Sequence, residues 1–158
     1  MMHTKQSGWQ MCKRQQIHAT LVECDGRGVL IRGSGGLGKS DLALRLIERK
    51  NARLVADDVV WLALENGKVF GSAPEILKGL LEVRGIGIVK YPYAEKVQVQ
   101  LVVDLLKTAA EVERMPKNAH ENILGVEIAK IDLYAKESSA PEKVLLKLNG
   151  NIVNDASI

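Results

Sequence analysis

Apolar positions along the chain fall into short blocks divided by glycine, proline, asparagine or aspartate, the punctuation of strands and turns. Residues 17–23 read as a strand that turns at Asp25-Gly26, and 29–31 as a short strand running straight into glycines. The period then changes. Over 39–49, Leu42, Ala43, Leu46 and Ile47 share one helical face while Arg45, Glu48 and Arg49 lie away from it. A strand is predicted at 53–56, ending on Asp57-Asp58, and strands at 59–64 and 68–71 flank Asn66-Gly67, a strong hairpin signal. Pro74 suits the first turn of a short helix reaching about Leu80. Further strands are predicted at 85–89, 97–105 and 128–133. The polar stretch 109–122, with Pro116, reads as loop or broken helix, and 142–148 as a last helix ending at Asn149-Gly150. The pattern is strand-rich α/β with a hairpin, not a regular βαβ alternation.

Composition narrows the class without choosing a function. The chain has 158 residues, 46% of them apolar and 26% charged, the balance of one ordinary globular domain rather than a disordered tail, a fibre or a disulfide scaffold. A flexible segment is expected over 1–16 and a single domain over 17–158. The net charge of +3 is too small to argue for nucleic acid, and the densest basic stretch, 45–53, interleaves Glu48 and reads as a solvated helix face. No apolar run approaches the roughly 18 residues of a membrane span, and the opening residues do not look like a signal peptide. Cys12 and Cys24 stand apart with no CxxC pattern, so they read as free thiols of a cytoplasmic protein.

One motif carries most of the chemistry. Gly33, Ser34, Gly35, Gly36, Leu37, Gly38, Lys39 and Ser40 match G-x-x-x-x-G-K-S in full, between a predicted strand and an amphipathic helix. Glycines let successive N–H groups point at phosphate oxygens, and the helix N-terminus adds partial positive charge there. Lys39 would reach the terminal phosphates and Ser40 would ligate Mg²⁺. A nucleoside triphosphate such as ATP is the implied ligand.

Phosphoryl transfer also needs a group to orient or deprotonate the acceptor. Asp57 and Asp58, at a strand end, are adjacent carboxylates that are costly unless a cation sits nearby. One could serve Mg²⁺ and the other the acceptor hydroxyl. Asp104, after 101–103, is a second candidate acid. His18 precedes the loop in a predicted strand, where a lone histidine is commonly structural. His3 and His120 lie in polar segments and receive no role. Glu82 and Arg84, beside Gly85-Ile86-Gly87, fit either a backbone that closely approaches something or a plain turn.

Taken together, His18-x-x-x-Val22, the glycine loop, 54–58, Ala73-Pro74-Glu75-Ile76-Leu77 and Leu81-Glu82-Val83-Arg84-Gly85-Ile86-Gly87-Ile88 resemble the catalytic domain of the HPr kinase/phosphorylase family. The resemblance runs over about residues 17–105, and its Glu-Val-Arg-Gly-Ile-Gly-Ile run is more specific than the loop. It implies a bacterial enzyme that phosphorylates a serine of the phosphocarrier protein HPr with ATP and Mg²⁺, and can remove the phosphate. It implies a P-loop-containing, phosphoenolpyruvate-carboxykinase-like α/β core with a mixed sheet, assembled as a cytoplasmic hexamer. By the same resemblance, Asp57 is the acid/base, His18 and Lys39 are active-site residues, and Ser40, Asp58 and Glu82 lie on the metal side. Arg84 is implied as a phosphate or acceptor contact.

Several family features are missing. The usual N-terminal domain has no counterpart in the roughly sixteen residues before the match. The aromatic- and glycine-rich loop is reduced to 90–96, and the basic, proline- and glycine-containing segment has no clear match around 136–141. Kinase activity is therefore better supported than phosphorylase activity, and the pattern looks like the short form found in some proteobacteria. A small-metabolite kinase is disfavoured because 109–122 offers only Arg114 and Lys117 for a lid. A nucleotide-gated module would keep Lys39 and Ser40 without a working Asp57. Nucleic-acid translocation fits poorly with 4% aromatic residues.

Overall fold

A computed structural model of the chain describes residues 13–150 together with 152 and 153. His3, Cys12 and most of the expected N-terminal segment lie outside the described residues. The central sheet has nine strands. Its main path runs β1 (Arg14–His18), β5 (Val59–Glu65), β6 (Lys68–Ser72), β9 (Val97–Leu105), β3 (Arg27–Arg32), β2 (Thr20–Cys24) and β4 (Arg53–Ala56). β11 (Val126–Leu133) joins β9 in parallel and carries β10 (Ala119–Ile123) antiparallel at its side. A separate two-stranded ribbon pairs β7 (Leu80–Val83) with β8 (Gly87–Lys90).

Strand directions create one functional end. β2 is antiparallel to both β3 and β4, so those two run the same way, and β9 and β11 are parallel to β3. The C-terminal ends of β3, β4, β9 and β11 therefore gather together with the start of β2. Parallel neighbours of this kind are buried on both faces, and the core is correspondingly double. Leu21, Leu30, Val60, Leu62 and Val102 fill one face. Val22, Val29, Ile31, Leu101 and Val103 fill the other, beneath the helices. A register shift sits on β3–β9: Gly28 pairs with Val99, but Val29 pairs with Leu101. The extra residue, Gln100, reverses the alternation, so Val97 and Val99 lie on the first face and Leu101 and Val103 on the second. Gly28 is required there, since a Cβ would lie 2.5 Å from the Gln98 carbonyl oxygen.

The helix α1 (Lys39–Lys50) forms as its periodicity predicts, with Leu42, Ala43 and Leu46 buried against the second face. Each fully buried leucine contributes about 1.5–3 kcal/mol. Arg45 departs from the expectation of a solvated face. Its side chain is 12% exposed and donates to the Ala135 and Glu137 carbonyls as well as to Asp41. Long side chains bury their stems while the guanidinium finds partners. The second helix, α2 (Ala140–Asn149), starts two residues earlier than predicted because Pro141 is accommodated in the first turn, and Gly150 closes it at φ 72°.

The hairpin is as predicted: Asn66 and Gly67 both have positive φ, the requirement of a tight two-residue turn. Other segments differ. The expected strand 17–23 is two strands, β1 and β2, interrupted at Ala19, with β1 starting at Arg14. The expected helix after Pro74 is a single 3-10 turn, Glu75–Leu77, because Gly79 at φ 77° turns the chain and Leu81 is fully buried from β7. The strand expected at 85–89 starts at Gly87, after a turn through Arg84, Gly85 and Ile86. The stretch 109–122 contains a 3-10 turn, Ala109–Glu111, and then β10, whose Ile123 enters the core. Among the described residues no helix is long and apolar enough to cross a membrane. Cys24 is buried with a free thiol, which desolvation, with Asp25 adding to it, pushes up to about 11.

Candidate active site

The glycine loop leaves the end of β3 and enters α1. Gly36 at φ 84° and Gly38 at φ 100° adopt backbone that a side chain would strain. Gly38 caps α1 without any side-chain hydrogen bond to the helix, so its first amides stay available to an anion. Ser34, Gly35 and Gly36 are exposed at the tip. Lys39 Nζ donates to the Gly33 carbonyl at 2.6 Å and lies 3.4 Å from that of Ser34. The ammonium thus sits over the loop mouth, where a phosphate oxygen would replace the carbonyls.

Asp57 follows β4 and is the buried acid of the group, 8% exposed. Three donors converge on it. Ser40 Oγ donates to Oδ1 at 2.7 Å, Thr20 Oγ1 donates to the same oxygen at 3.0 Å, and the Glu82 main-chain N–H donates to Oδ2 at 3.2 Å. These come from the start of α1, the start of β2 and the β7 strand, so three separate elements meet on one carboxylate. A buried polar side chain needs partners of this kind, and each oxygen of this one has at least one.

Asp58 points elsewhere. It has φ 70°, is exposed, and places Oδ1 3.9 Å from His18 Nδ1. Asp57, not Asp58, is therefore the acid that reaches Ser40. Both His18 and Asp58 are mostly exposed, at 84% and 77%, so the pair is a solvated contact at the rim. Glu82 and Arg84 have exposed side chains, and Glu82 joins the site through its backbone. Gly85 and Gly87 meet nothing that a Cβ would strike within 4 Å, so they serve the turn and not a close approach.

Asp104 does not belong to this group. It lies within β9, where Arg32 Nε and Nη2 donate to its two oxygens at 2.7 and 2.9 Å and Lys130 Nζ lies at 3.3 Å. Burial would raise its carboxyl, but Arg32 and Lys130 outweigh that and hold it below the usual carboxylate range. It is a structural ion pair. A surface groove of 1030 Å³ between residues 111–119, β11 and α2 shares no residue with the site.

Thr20 is the member that sequence inspection missed. The available signal was a hydroxyl inside the apolar run 19–22, since a buried polar group needs a partner. No group of three or more His, Cys, Asp or Glu residues able to hold a metal occurs among the described residues. The Ser40 hydroxyl at the start of α1 is a hard oxygen of the kind Mg²⁺ takes together with phosphate oxygens and water.

A mixed α/β sheet with a glycine loop, a lysine and a buried carboxylate gathered at its strand ends has the form of an anion-binding protein. Comparison with known proteins specifies it further. The family model described as the HPr serine kinase C-terminal domain matches residues 9–147, and the chain belongs to that family. An HPr kinase/phosphorylase of Clostridium tetani is 37% identical, covering 75% of this chain and 38% of that protein. One from Bordetella pertussis is 35% identical, covering 90% of this chain and 52% of that protein. The chain thus spans about half the length, or less, of these relatives. A solved structure described as the Hpr(Ser) kinase/phosphatase from Coxiella burnetii superposes with a TM-score of 0.73 at 31% identity, over 86% of this chain and 99% of that one.

Proposed function

We propose that the protein is an ATP-dependent serine kinase acting on an HPr-like phosphocarrier of a bacterial phosphotransferase system. Residues 17–158 would form one P-loop catalytic domain on a phosphoenolpyruvate-carboxykinase-like core. The observation that carries this is the Asp57 carboxylate, buried beside the glycine loop and held by Ser40, Thr20 and the Glu82 amide. The loop amides from Gly33 to Ser40 cradle the phosphates, and Lys39 exchanges its carbonyl partners for terminal phosphate oxygens. Mg²⁺, held by Ser40 with the carboxylates of Asp58 and Glu82 as further candidates, would neutralise phosphate charge. Asp57 takes the proton of the acceptor serine as its oxygen bonds to the γ-phosphorus and the bond to ADP breaks. His18, beside Asp58, flanks the same opening, and Arg84 supplies a cation on the neighbouring ribbon for the acceptor or its phosphate. A homo-oligomer, hexameric by family resemblance, and a cytoplasmic location belong to the same proposal.

The test is to mix the protein with Mg-ATP and an HPr-like carrier from the same genome and weigh the carrier by intact mass spectrometry. One added phosphoryl group, absent with Lys39→Ala and with Asp57→Asn, is the expected result. An unmodified carrier with ATP still bound by the wild type would move the assignment to a metabolite kinase or a nucleotide-gated module. Adding inorganic phosphate afterwards shows whether the group can be removed again.

A further inference from the structure

We propose that Thr20 is a positioning residue for the transfer step, its hydroxyl fixing the Asp57 carboxylate so that Oδ2 faces the acceptor. This rests on the assignment of Asp57 as the acid/base. The rotation of an aspartate carboxylate about its last bond is soft and broad, so the partners of Asp57 must set its orientation. A carboxylate offers about four acceptor positions. Oδ1 takes two hydroxyl donors, Ser40 and Thr20, and is filled. Oδ2 takes one, the Glu82 amide. One position on Oδ2 therefore remains for the proton of an acceptor hydroxyl.

Of the donors, Thr20 is the most rigidly mounted. It is fully buried, and β2 is paired on both sides, Thr20 with Ile31 of β3 and Leu21 with Ala56 of β4. Ser40 stands at the start of a helix whose loop must accommodate nucleotide, and its oxygen is the one a cation would claim in the proposed mechanism. The Glu82 amide belongs to a separate ribbon. Thr20 thus holds Oδ1 from the sheet itself, 37 residues away along the chain.

The test compares single-turnover phosphoryl transfer to the carrier in wild type, Thr20→Val, Thr20→Ser and Asp57→Asn, beside equilibrium binding of a fluorescent ATP analogue. Thr20→Val keeps the shape and removes the hydroxyl. It is expected to slow transfer about 10- to 100-fold, with nucleotide affinity and KM for ATP within about twofold. Thr20→Ser keeps the hydroxyl and should restore the rate to within about threefold of wild type. An unchanged rate in Thr20→Val beside an inactive Asp57→Asn overturns the role of Thr20 and leaves that of Asp57 standing. Full activity in Asp57→Asn overturns both. A Thr20→Ser variant as slow as Thr20→Val shows that packing is responsible, and also overturns it. Should Thr20→Val not fold, Thr20→Ser against Thr20→Ala isolates the hydroxyl again, and equal rates in that pair refute the proposal.

Discussion

Replacing Asp104 with asparagine separates structure from chemistry at this end of the sheet. Asp104 accepts two bonds from the Arg32 fork and lies near Lys130, with 27% of its side chain exposed. Asparagine keeps the shape but loses the charge and one acceptor oxygen, and sets N–H donors in its place. Arg32 keeps a bond to Glu121 at 3.1 Å, so the guanidinium is not abandoned. Charge-assisted bonds of this kind are worth about 1.5–3 kcal/mol when one partner is lost, and the remaining partner and partial exposure put the cost near 2 kcal/mol. For a chain of this size that lowers Tm by roughly 4–8 °C. The depressed carboxyl of Asp104 stabilises the fold above its ordinary value of 3.8 and loses that contribution as pH falls through the lowered folded value. The gap between wild type and Asp104→Asn should therefore be full at pH 7 and close on acidification below about pH 4. Differential scanning calorimetry at several pH values measures this, with phosphoryl transfer assayed well below both midpoints. An unchanged Tm at pH 7 would refute the ion-pair account. Loss of transfer in a fully folded variant would return Asp104 to the site.

Further consequences follow from individual residues. Leu46→Ala empties a fully buried position beneath α1 and should cost about 2–5 kcal/mol in urea unfolding; a loss below 1 kcal/mol would mean that α1 is not held by this face. Gly67→Ala meets no atom within 4 Å but has φ 75°, so it should destabilise by about 1–2 kcal/mol through backbone strain alone. In a Cys12→Ser background, Cys24 should resist a thiol reagent at neutral pH until the protein unfolds, because the thiol is buried and raised to about 11. Rapid labelling of folded protein would contradict that burial.

Much of the local structure was legible along the chain because local chemistry decides it. Asn66-Gly67 sets its own turn, the face of Leu42 and Leu46 sets α1, and the apolar run 97–105 gives β9 residue for residue. The misreadings share a cause: an environment supplied by distant segments. Arg45 reads as solvated until 135–137 provide carbonyls. The residues of β10 before Ile123 look too polar for a strand until β11 pairs with them. Asp104 resembles a strand-end acid until Arg32, 72 residues away, occupies it.

The sequence by itself determined the glycine loop, Lys39 and Ser40, the acid pair behind β4 and the family to which these residues point. Each of those features is encoded in a short contiguous run, where residue type and order alone mark it. Which acid meets Ser40, and who else holds it, was decided in three dimensions. Asp57 and Asp58 are adjacent in sequence, yet the turn at Asp58 sends one carboxylate inward and the other to the rim. The inward one is met by Thr20, Ser40 and the Glu82 amide only because β2, α1 and β7 converge there. A buried polar group is tolerated only where partners surround it, and donors drawn from three separate elements can be counted only after the chain has folded.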